Sequence, residues 1–166
     1  MEQFNNCIKK IESLCELESQ IDKEQLILCD DMQNTFFVIN LDDTQKVGIG
    51  YYDYGVPPGF QYSQNGELLY VGVGRNLLCI NIYQSKVLFN EDLQSVFYEL
   101  LYDWKKNYIC VICELDVYCY CLQKQKWKMG FRSIINEYSI IDNNVFILCD
   151  DGIEYLFTLE EGKLVV

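Results

Sequence analysis

The sequence predicts an all-β chain built from four copies of a four-strand β-meander, preceded by a short N-terminal helix. Three observations support this prediction. The hexapeptide LILCDD, which begins at Leu26, returns almost unchanged as FILCDD at Phe146. Related apolar runs begin at Tyr70 and Cys110, so the four runs are spaced 44, 40 and 36 residues apart. Each run is followed by a polar turn and a second apolar run, which is the pattern of a β-hairpin.

The apolar runs have the composition of strands that are covered on both faces. TFFVINL, NLLCINI and VYCYCL place apolar side chains at both alternating sets of positions, with β-branched and aromatic residues throughout. Short runs of this kind between turn signals are typical of buried strands. We therefore predict one domain over residues 1–166, with repeats at about 16–54, 55–90, 91–131 and 132–166.

A period near 40 residues with several short strands is typical of β-propeller blades. The stretch LLYVGVGRNLLCINIYQSKVLF, from Leu68, resembles a blade of the quinoprotein or WD type, and the resemblance extends over residues 16–166. It implies a small propeller, or a half-propeller-like array that is open or pairs with a second copy as a homodimer. The same hairpins also fit a two-sheet β-sandwich.

Two segments show helical spacing instead. FNNCIKKIESLC, beginning at Phe4, places its apolar residues on one helical face, which predicts a helix within residues 1–15. NEDLQSVFYELL has a possible N-cap at Asn90, so we expect a helical turn that leads into a strand over 91–102.

The charge and cysteine content limit the function classes. A net charge of −12 disfavours nucleic acid and anionic membranes and favours a basic protein partner. The absence of histidine removes histidine-based catalysis and histidine-ligated zinc. The nine cysteines are odd in number and lie mostly in apolar runs, and MEQFNNCIKK does not read as a signal peptide. We therefore expect a reduced, cytoplasmic protein.

Motifs that carry chemistry are weak in this sequence. Cys110 and Cys113 form a C-x-x-C near Cys119 and Cys121, but residues three apart on a strand point to opposite faces. VGVGR lacks the helix that a phosphate site needs. We predict no catalytic, cofactor-binding or metal-binding residue. Two minor alternatives remain: a carbohydrate-binding protein with Trp104 and Trp127 as a sugar platform, and a carboxylate-based glycan enzyme that uses paired acids such as Asp30 and Asp31.

The order of strands in a meander predicts one acidic surface. Turns between the second and third strands share an end of the sheets with the links between repeats. The turns supply Asp30, Asp31, Glu114, Asp116, Asp150, Asp151 and Glu154. The link YYDYGVPPGF adds large aromatic side chains, so its predicted partner-binding residues are Tyr51, Tyr52, Asp53, Tyr54 and Phe60.

Together these features favour a non-enzymatic protein-binding module. In its most specific form this module is an acidic bacterial immunity protein, which inhibits a basic toxin such as a nuclease by covering its substrate-binding face. The alternative is a propeller-like scaffold within a larger assembly.

Overall fold

The computed structural model describes residues 7–42 and 44–165. In this part of the chain there are fifteen strands, one α-helix and one 3₁₀ turn at Lys23–Gln25. The helix α1 spans Leu14–Gln20. The strands are β1 Ile8–Ile11, β2 Leu26–Leu28, β3 Thr35–Asn40, β4 Lys46–Tyr51, β5 Gly59–Tyr62, β6 Leu68–Val73, β7 Asn76–Asn81, β8 Lys86–Asp92, β9 Phe97–Asp103, β10 Tyr108–Cys113, β11 Asp116–Cys121, β12 Lys124–Gly130, β13 Ile135–Ile141, β14 Asn144–Cys149 and β15 Glu154–Thr158.

The strands form four small sheets, which confirms the predicted repeat architecture and not the two-sheet sandwich. Sheet 2 (β5–β8) and sheet 3 (β9–β12) are antiparallel meanders of four strands in chain order. Sheet 4 (β13–β15) is a three-strand meander, and an isolated bridge between Phe157 and Leu164 lies at its fourth position. Within the described ranges no helix is long and apolar enough to cross a bilayer.

Sheet 1 (β1–β4) departs from the meander. Its strand order is β1-β3-β4-β2, and β2 runs parallel to β4 with Leu26 opposite Gly48. The predicted hairpin between the run at Leu26 and β3 is therefore wrong. Cys29 donates its N–H to the carbonyl of Gly50 at 2.7 Å, which extends the pairing of β2 with β4. Because Gly50 has no side chain, Leu28 can lie against it: a Cβ there would be 3.0 Å from Leu28 Cδ2.

The short N-terminal helix is present, but it begins later than the helical spacing predicts. Ser13 is its N-cap, and the Ser13 hydroxyl accepts the N–H of Glu16 at 3.2 Å. Serine before the first helical turn satisfies an otherwise unpaired N–H, so it favours a helix start over a helix interior. Ile8–Ile11 instead form β1, the edge strand beside β3. Phe4 lies outside the described residues.

The predicted helical turn before β9 is also wrong. β8 continues to Asp92, and residues 93–96 form bends without helix. Leu93 is fully buried and donates its N–H to the carbonyl of Arg75 at 2.7 Å. Burial of this leucine and pairing with the preceding turn outweigh the weak local preference for helix.

The core consists of layers between successive sheets. Separate apolar clusters lie between sheets 1 and 2, between sheets 2 and 3, and between sheets 3 and 4, while α1 packs on the outer face of sheet 1. Cys110 belongs to the layer facing sheet 4, and Cys113 belongs to the layer facing sheet 2. This confirms that the C-x-x-C pair points to opposite faces of its strand.

Candidate protein-binding rim

One end of the sheets carries both the turns and the links that the meander places together. We call this end the acidic rim. Its segments are residues 29–34, 52–58, 74–75, 93–96, 114–115, 131–134 and 150–153. Backbone hydrogen bonds join neighbouring segments: Glu114 donates its N–H to Val96 at 2.7 Å, and Asp150 donates its N–H to Ile134 at 2.9 Å. The rim is therefore a continuous backbone surface across sheets 2, 3 and 4.

A shallow, open cleft of about 270 Å³ lies at the sheet 1 end of the acidic rim. It is lined by Asp30, Asp31, Met32, Tyr52 and Tyr54. The two tyrosine rings meet edge to face, with 4.9 Å between their centroids, and both rings are exposed. The structure thus brings together two predicted acids and two predicted tyrosines, which are 21 or more residues apart in sequence.

Hydrogen bonds fix the loop that carries the two tyrosines. The side-chain carbonyl of Asn34 accepts the N–H of Asp53 at 2.7 Å, and the Asp53 carboxylate accepts the N–H of Gly55 at 2.7 Å. Gly55 has a φ of 87°, a left-handed conformation that favours glycine. Asp53 is half-buried, so its predicted role at the surface is shared with this structural one.

Contacts from sheet 2 also fix the shape of the cleft. Asn76 donates a side-chain N–H to the carboxylate of Asp30 at 3.3 Å. Gly74 lies so close to the tyrosine loop that a Cβ on it would be 2.6 Å from the carbonyl oxygen of Tyr52. A cleft fixed in this way loses little conformational entropy when a partner binds.

A second group of acids lies at the sheet 4 end of the acidic rim. Burial raises the pKa of the Tyr98 hydroxyl, and the negative charges of Glu114 and Asp150 raise it further. Both carboxylates are therefore near one half-buried tyrosine. The carboxylate of Asp151 accepts the N–H of Ile153 at 3.1 Å, and Ile153 is 49% exposed. This part of the rim combines carboxylates with an exposed aliphatic side chain.

Two aromatic residues that were predicted to bind a partner lie in the core instead. Tyr51 is only 2% exposed and packs edge to face on Phe37, with 5.9 Å between ring centroids. Burial, followed by the charge of Asp53, raises the pKa of Tyr51 to about 12. Phe60 lies in β5 and is half-buried against Phe37 at 5.8 Å. Both rings contribute to the layer between sheets 1 and 2, because the exposed loop begins only at Tyr52.

Two predicted acids lie outside the turns of the acidic rim. Asp116 is 6% exposed, accepts the hydroxyl of Ser95 at 2.8 Å and lies 3.7 Å from the ammonium of Lys128. Its charge is compensated inside the protein, so it is not available to a partner. Glu154 is exposed, but it is the first residue of β15 and pairs with Leu148 of the sheet.

Sequence reasoning missed Met32 and Tyr98. Met32 is 72% exposed and lines the cleft. A large apolar residue inside the polar turn DDMQN was the available signal. Tyr98 gave no signal, because its proximity to Glu114 and Asp150 arises from the packing of sheet 3 beside sheet 4.

The described residues do not bring together the groups that a metal site, a reactive thiol or a tryptophan platform for sugars would need. Among them, no three Cys, Asp or Glu side chains cluster to hold a metal ion. A hydrogen bond with Cys119, together with burial, raises the pKa of Cys110, so that thiol is protonated near neutral pH. Trp127 is 9% exposed and donates its indole N–H to Leu159 at 2.8 Å, whereas Trp104 is 54% exposed. The two tryptophans therefore do not form one sugar platform.

Comparisons with known proteins show the fold. No protein-family model matches the chain, and neither does any curated protein sequence. The computationally designed Ika4 protein superposes on 88% of this chain and 79% of its own, with a TM-score of 0.55 and 13% identity. Sqt1 of Saccharomyces cerevisiae matches 96% of this chain and 48% of its own length, with a TM-score of 0.55 and 10% identity. The RRP9 WD40 repeats match 68% of this chain and 38% of their own length, with a TM-score of 0.54 and 7% identity.

The fold is therefore that of β-propeller blades, as the repeats predict. The chain spans less than half the length of Sqt1 and of the RRP9 WD40 repeats. At identities of 14% or lower, these similarities describe architecture and carry no residue of a functional site over to this chain.

Proposed function

We propose that this chain is a non-enzymatic protein-binding module whose acidic rim binds a basic protein. The observation that carries the proposal is the cleft in which Asp30 and Asp31 lie beside Met32, Tyr52 and Tyr54. Exposed aromatic rings and methionine next to carboxylates form a surface that a lysine or arginine with its aliphatic stem fits well. In its sharpest form the module is an immunity-type inhibitor, which masks a cationic toxin such as a nuclease in the bacterial cytoplasm.

Charge and preorganisation support this proposal in different ways. A net charge of −12 attracts a basic partner over distances of about 10 Å and raises the association rate. The fixed tyrosine pair supplies apolar contact area once the partner has arrived, which mainly lowers the dissociation rate. Long-range charge attraction and preorganised apolar contact together are the usual basis for rapid and tight inhibition of a charged protein.

A scaffold in a larger assembly is the second candidate, and it is favoured by the similarity of the fold to WD40 repeats. Such a scaffold binds through other surfaces and does not need the cleft. Tyr52 and Tyr54 therefore separate the two functions: their loss abolishes binding by an inhibitor and leaves a scaffold's binding intact. A homodimer built from two copies is a further form of this second candidate.

The test captures proteins from a native lysate on the immobilised chain, at low and at moderate salt, and compares three variants. The wild type and Tyr83→Ala are expected to retain the same basic protein, because Tyr83 is 71% exposed at the opposite end of the sheets. Tyr52→Ala/Tyr54→Ala is expected to lower the affinity roughly thirtyfold or more, since an anchoring aromatic residue contributes ~2 kcal/mol. Recovery of no basic protein at either salt, or equal recovery by all three variants, refutes the proposal.

A further inference from the structure

The two ends of the sheet stack are covered differently. On the outer face of sheet 1, Leu17 and Ile21 of the α1 segment are buried against Phe36 and Val38. The same segment also packs against Gly48 of β4, because a Cβ on Gly48 would be 2.9 Å from Ile21 Cγ1. Sheet 4 lies at the other end of the stack. Its inner face belongs to the layer against sheet 3, and no apolar cluster of the described residues includes its outer face.

The strand register of sheet 4 defines the composition of its outer face. Phe146 lies opposite Ser139 on one side and Leu156 on the other, and Leu148 lies between Glu137 and Glu154. Phe146, Leu148 and Leu156 are half-buried, whereas the alternating residues Val145 and Ile147 are fully buried. The face therefore has two neighbouring rows across its strands. One row contains Phe146 and Leu156, and the other contains Leu148 between Glu137 and Glu154. We call Phe146, Leu148 and Leu156 together the apolar stripe.

The charges of this face are unpaired with any cation of its own sheet. On β13–β15 the face comprises Glu137, Ser139, Ile141, Asn144, Phe146, Leu148, Glu154, Leu156 and Thr158, which include no lysine or arginine. Lys163, which lies beside Thr158 at the fourth position, forms an ion pair with Glu161 at 2.7 Å. Both glutamates are exposed, and the two ion pairs found in the described residues involve other acids. The glutamate row also adjoins the acidic rim, because Glu154 directly follows Ile153.

We propose that the outer face of sheet 4 docks an amphipathic segment of the basic partner. Aliphatic side chains of that segment cover Phe146, Leu148 and Leu156, and lysine or arginine side chains on its two flanks pair with Glu137 and Glu154. The inference rests on the proposed function, because it assigns chemistry to the same partner. It extends the contact surface from the turns of the acidic rim onto the neighbouring sheet.

Charge complementarity selects this occupant over a second copy of the chain. A copy paired face to face brings another apolar stripe, but it also brings two more glutamates, and the lysine beside that face, Lys163, is already paired with Glu161. Like charges brought together in a desolvated interface disfavour the complex. The net charge of −12 on each copy adds a long-range repulsion. An apolar segment with basic flanks removes both costs.

The test uses two labelled helical peptides of equal length as probes. One carries a leucine stripe flanked by lysines, and the other carries the same stripe flanked by glutamates. Glu137→Lys/Glu154→Lys is expected to lower affinity for the lysine peptide about tenfold or more at low salt and to create affinity for the glutamate peptide. Glu18→Lys/Glu24→Lys, at the covered end of the stack, changes the net charge equally and is expected to leave the peptide preference unchanged.

Four outcomes overturn the inference. Equal effects of the two glutamate pairs would show that only net charge matters. Unchanged binding by Leu148→Ser/Leu156→Ser, checked for folding by circular dichroism, would show that the apolar stripe makes no contact. Concentration-dependent dimerisation that this double serine variant abolishes would assign the face to a second copy. Loss of the natural partner in Tyr52→Ala/Tyr54→Ala, with full retention in Glu137→Lys/Glu154→Lys, would refute this inference and leave the proposed function standing.

Discussion

Gly74→Ala tests whether contact between sheets 1 and 2 shapes the cleft. Gly74 has a φ of 55°, where an L-residue costs about 1 kcal/mol relative to glycine. Its new Cβ would also be 2.6 Å from the carbonyl oxygen of Tyr52, a backbone atom that cannot rotate away. Overpacking of this kind costs a further ~1–3 kcal/mol. We therefore expect a loss of about 2–4 kcal/mol in the free energy of unfolding.

Gly66→Ala is the matched control for this substitution. Gly66 has a similar left-handed φ of 70°, and nothing lies within 4 Å of an added Cβ. Its replacement therefore measures backbone strain alone, at about 1 kcal/mol. The difference between the two variants isolates the clash with the tyrosine loop.

Urea unfolding followed by circular dichroism measures both free energies, and partner or peptide binding measures the consequence for the cleft. Gly74→Ala is expected to lower affinity for the basic partner, because relief of the clash moves the backbone of Tyr52. Gly66→Ala is expected to bind normally. Equal destabilisation by the two variants would refute the claim that contact at Gly74 positions the loop.

Three further outcomes follow from buried groups. Ellman's reagent is expected to react quickly with the exposed Cys15 and only after unfolding with the buried Cys110; rapid labelling of Cys110 would contradict the sheet packing. The raised pKa of Tyr51, about 12, means that its stabilising contribution is complete below pH 10 and is lost between pH 10 and 12, so Tyr51→Phe is expected to flatten this part of a stability–pH profile. Trp127→Phe removes the 2.8 Å hydrogen bond to the carbonyl of Leu159 and is expected to cost ~1–3 kcal/mol in thermal or urea unfolding; an unchanged midpoint would contradict that bond.

The repeat pattern predicts most of the fold because each sheet uses the same local signals. Apolar runs between turns locate the strands of sheets 2, 3 and 4, and the spacing between runs separates one sheet from the next. The pattern fails in sheet 1, where LILC at Leu26 resembles FILC at Phe146 but pairs in parallel with β4. In sheet 1, Ile21 packs against Gly48 and Leu28 packs against Gly50, and a comparison of hexapeptides does not contain these contacts.

The candidate site is predictable only as far as chain direction determines it. Alternation of turns brings Asp30 and Asp31 to the same end as the tyrosine loop, and the cleft contains both. Chain direction does not reveal which side chains of that end point inward. Tyr51 is buried because it continues the alternation of β4, and Asp116 is buried because Ser95 and Lys128 satisfy its carboxylate.

The two copies of the CDD sequence show where repetition and proposed function separate. In sheet 4, Asp150 and Asp151 continue the backbone pattern of the acidic rim, with Asp150 bonded to Ile134. In sheet 1, Asp30 has a φ of 68° and accepts a hydrogen bond from Asn76 beside the tyrosine loop. The repeat explains why both turns contain paired aspartates, but only the first lies in an aromatic cleft. Both proposed contact surfaces thus arise at the ends of the stack. One lies where sheet 1 departs from the meander, and the other lies where no apolar cluster of the described residues covers the outer face of sheet 4.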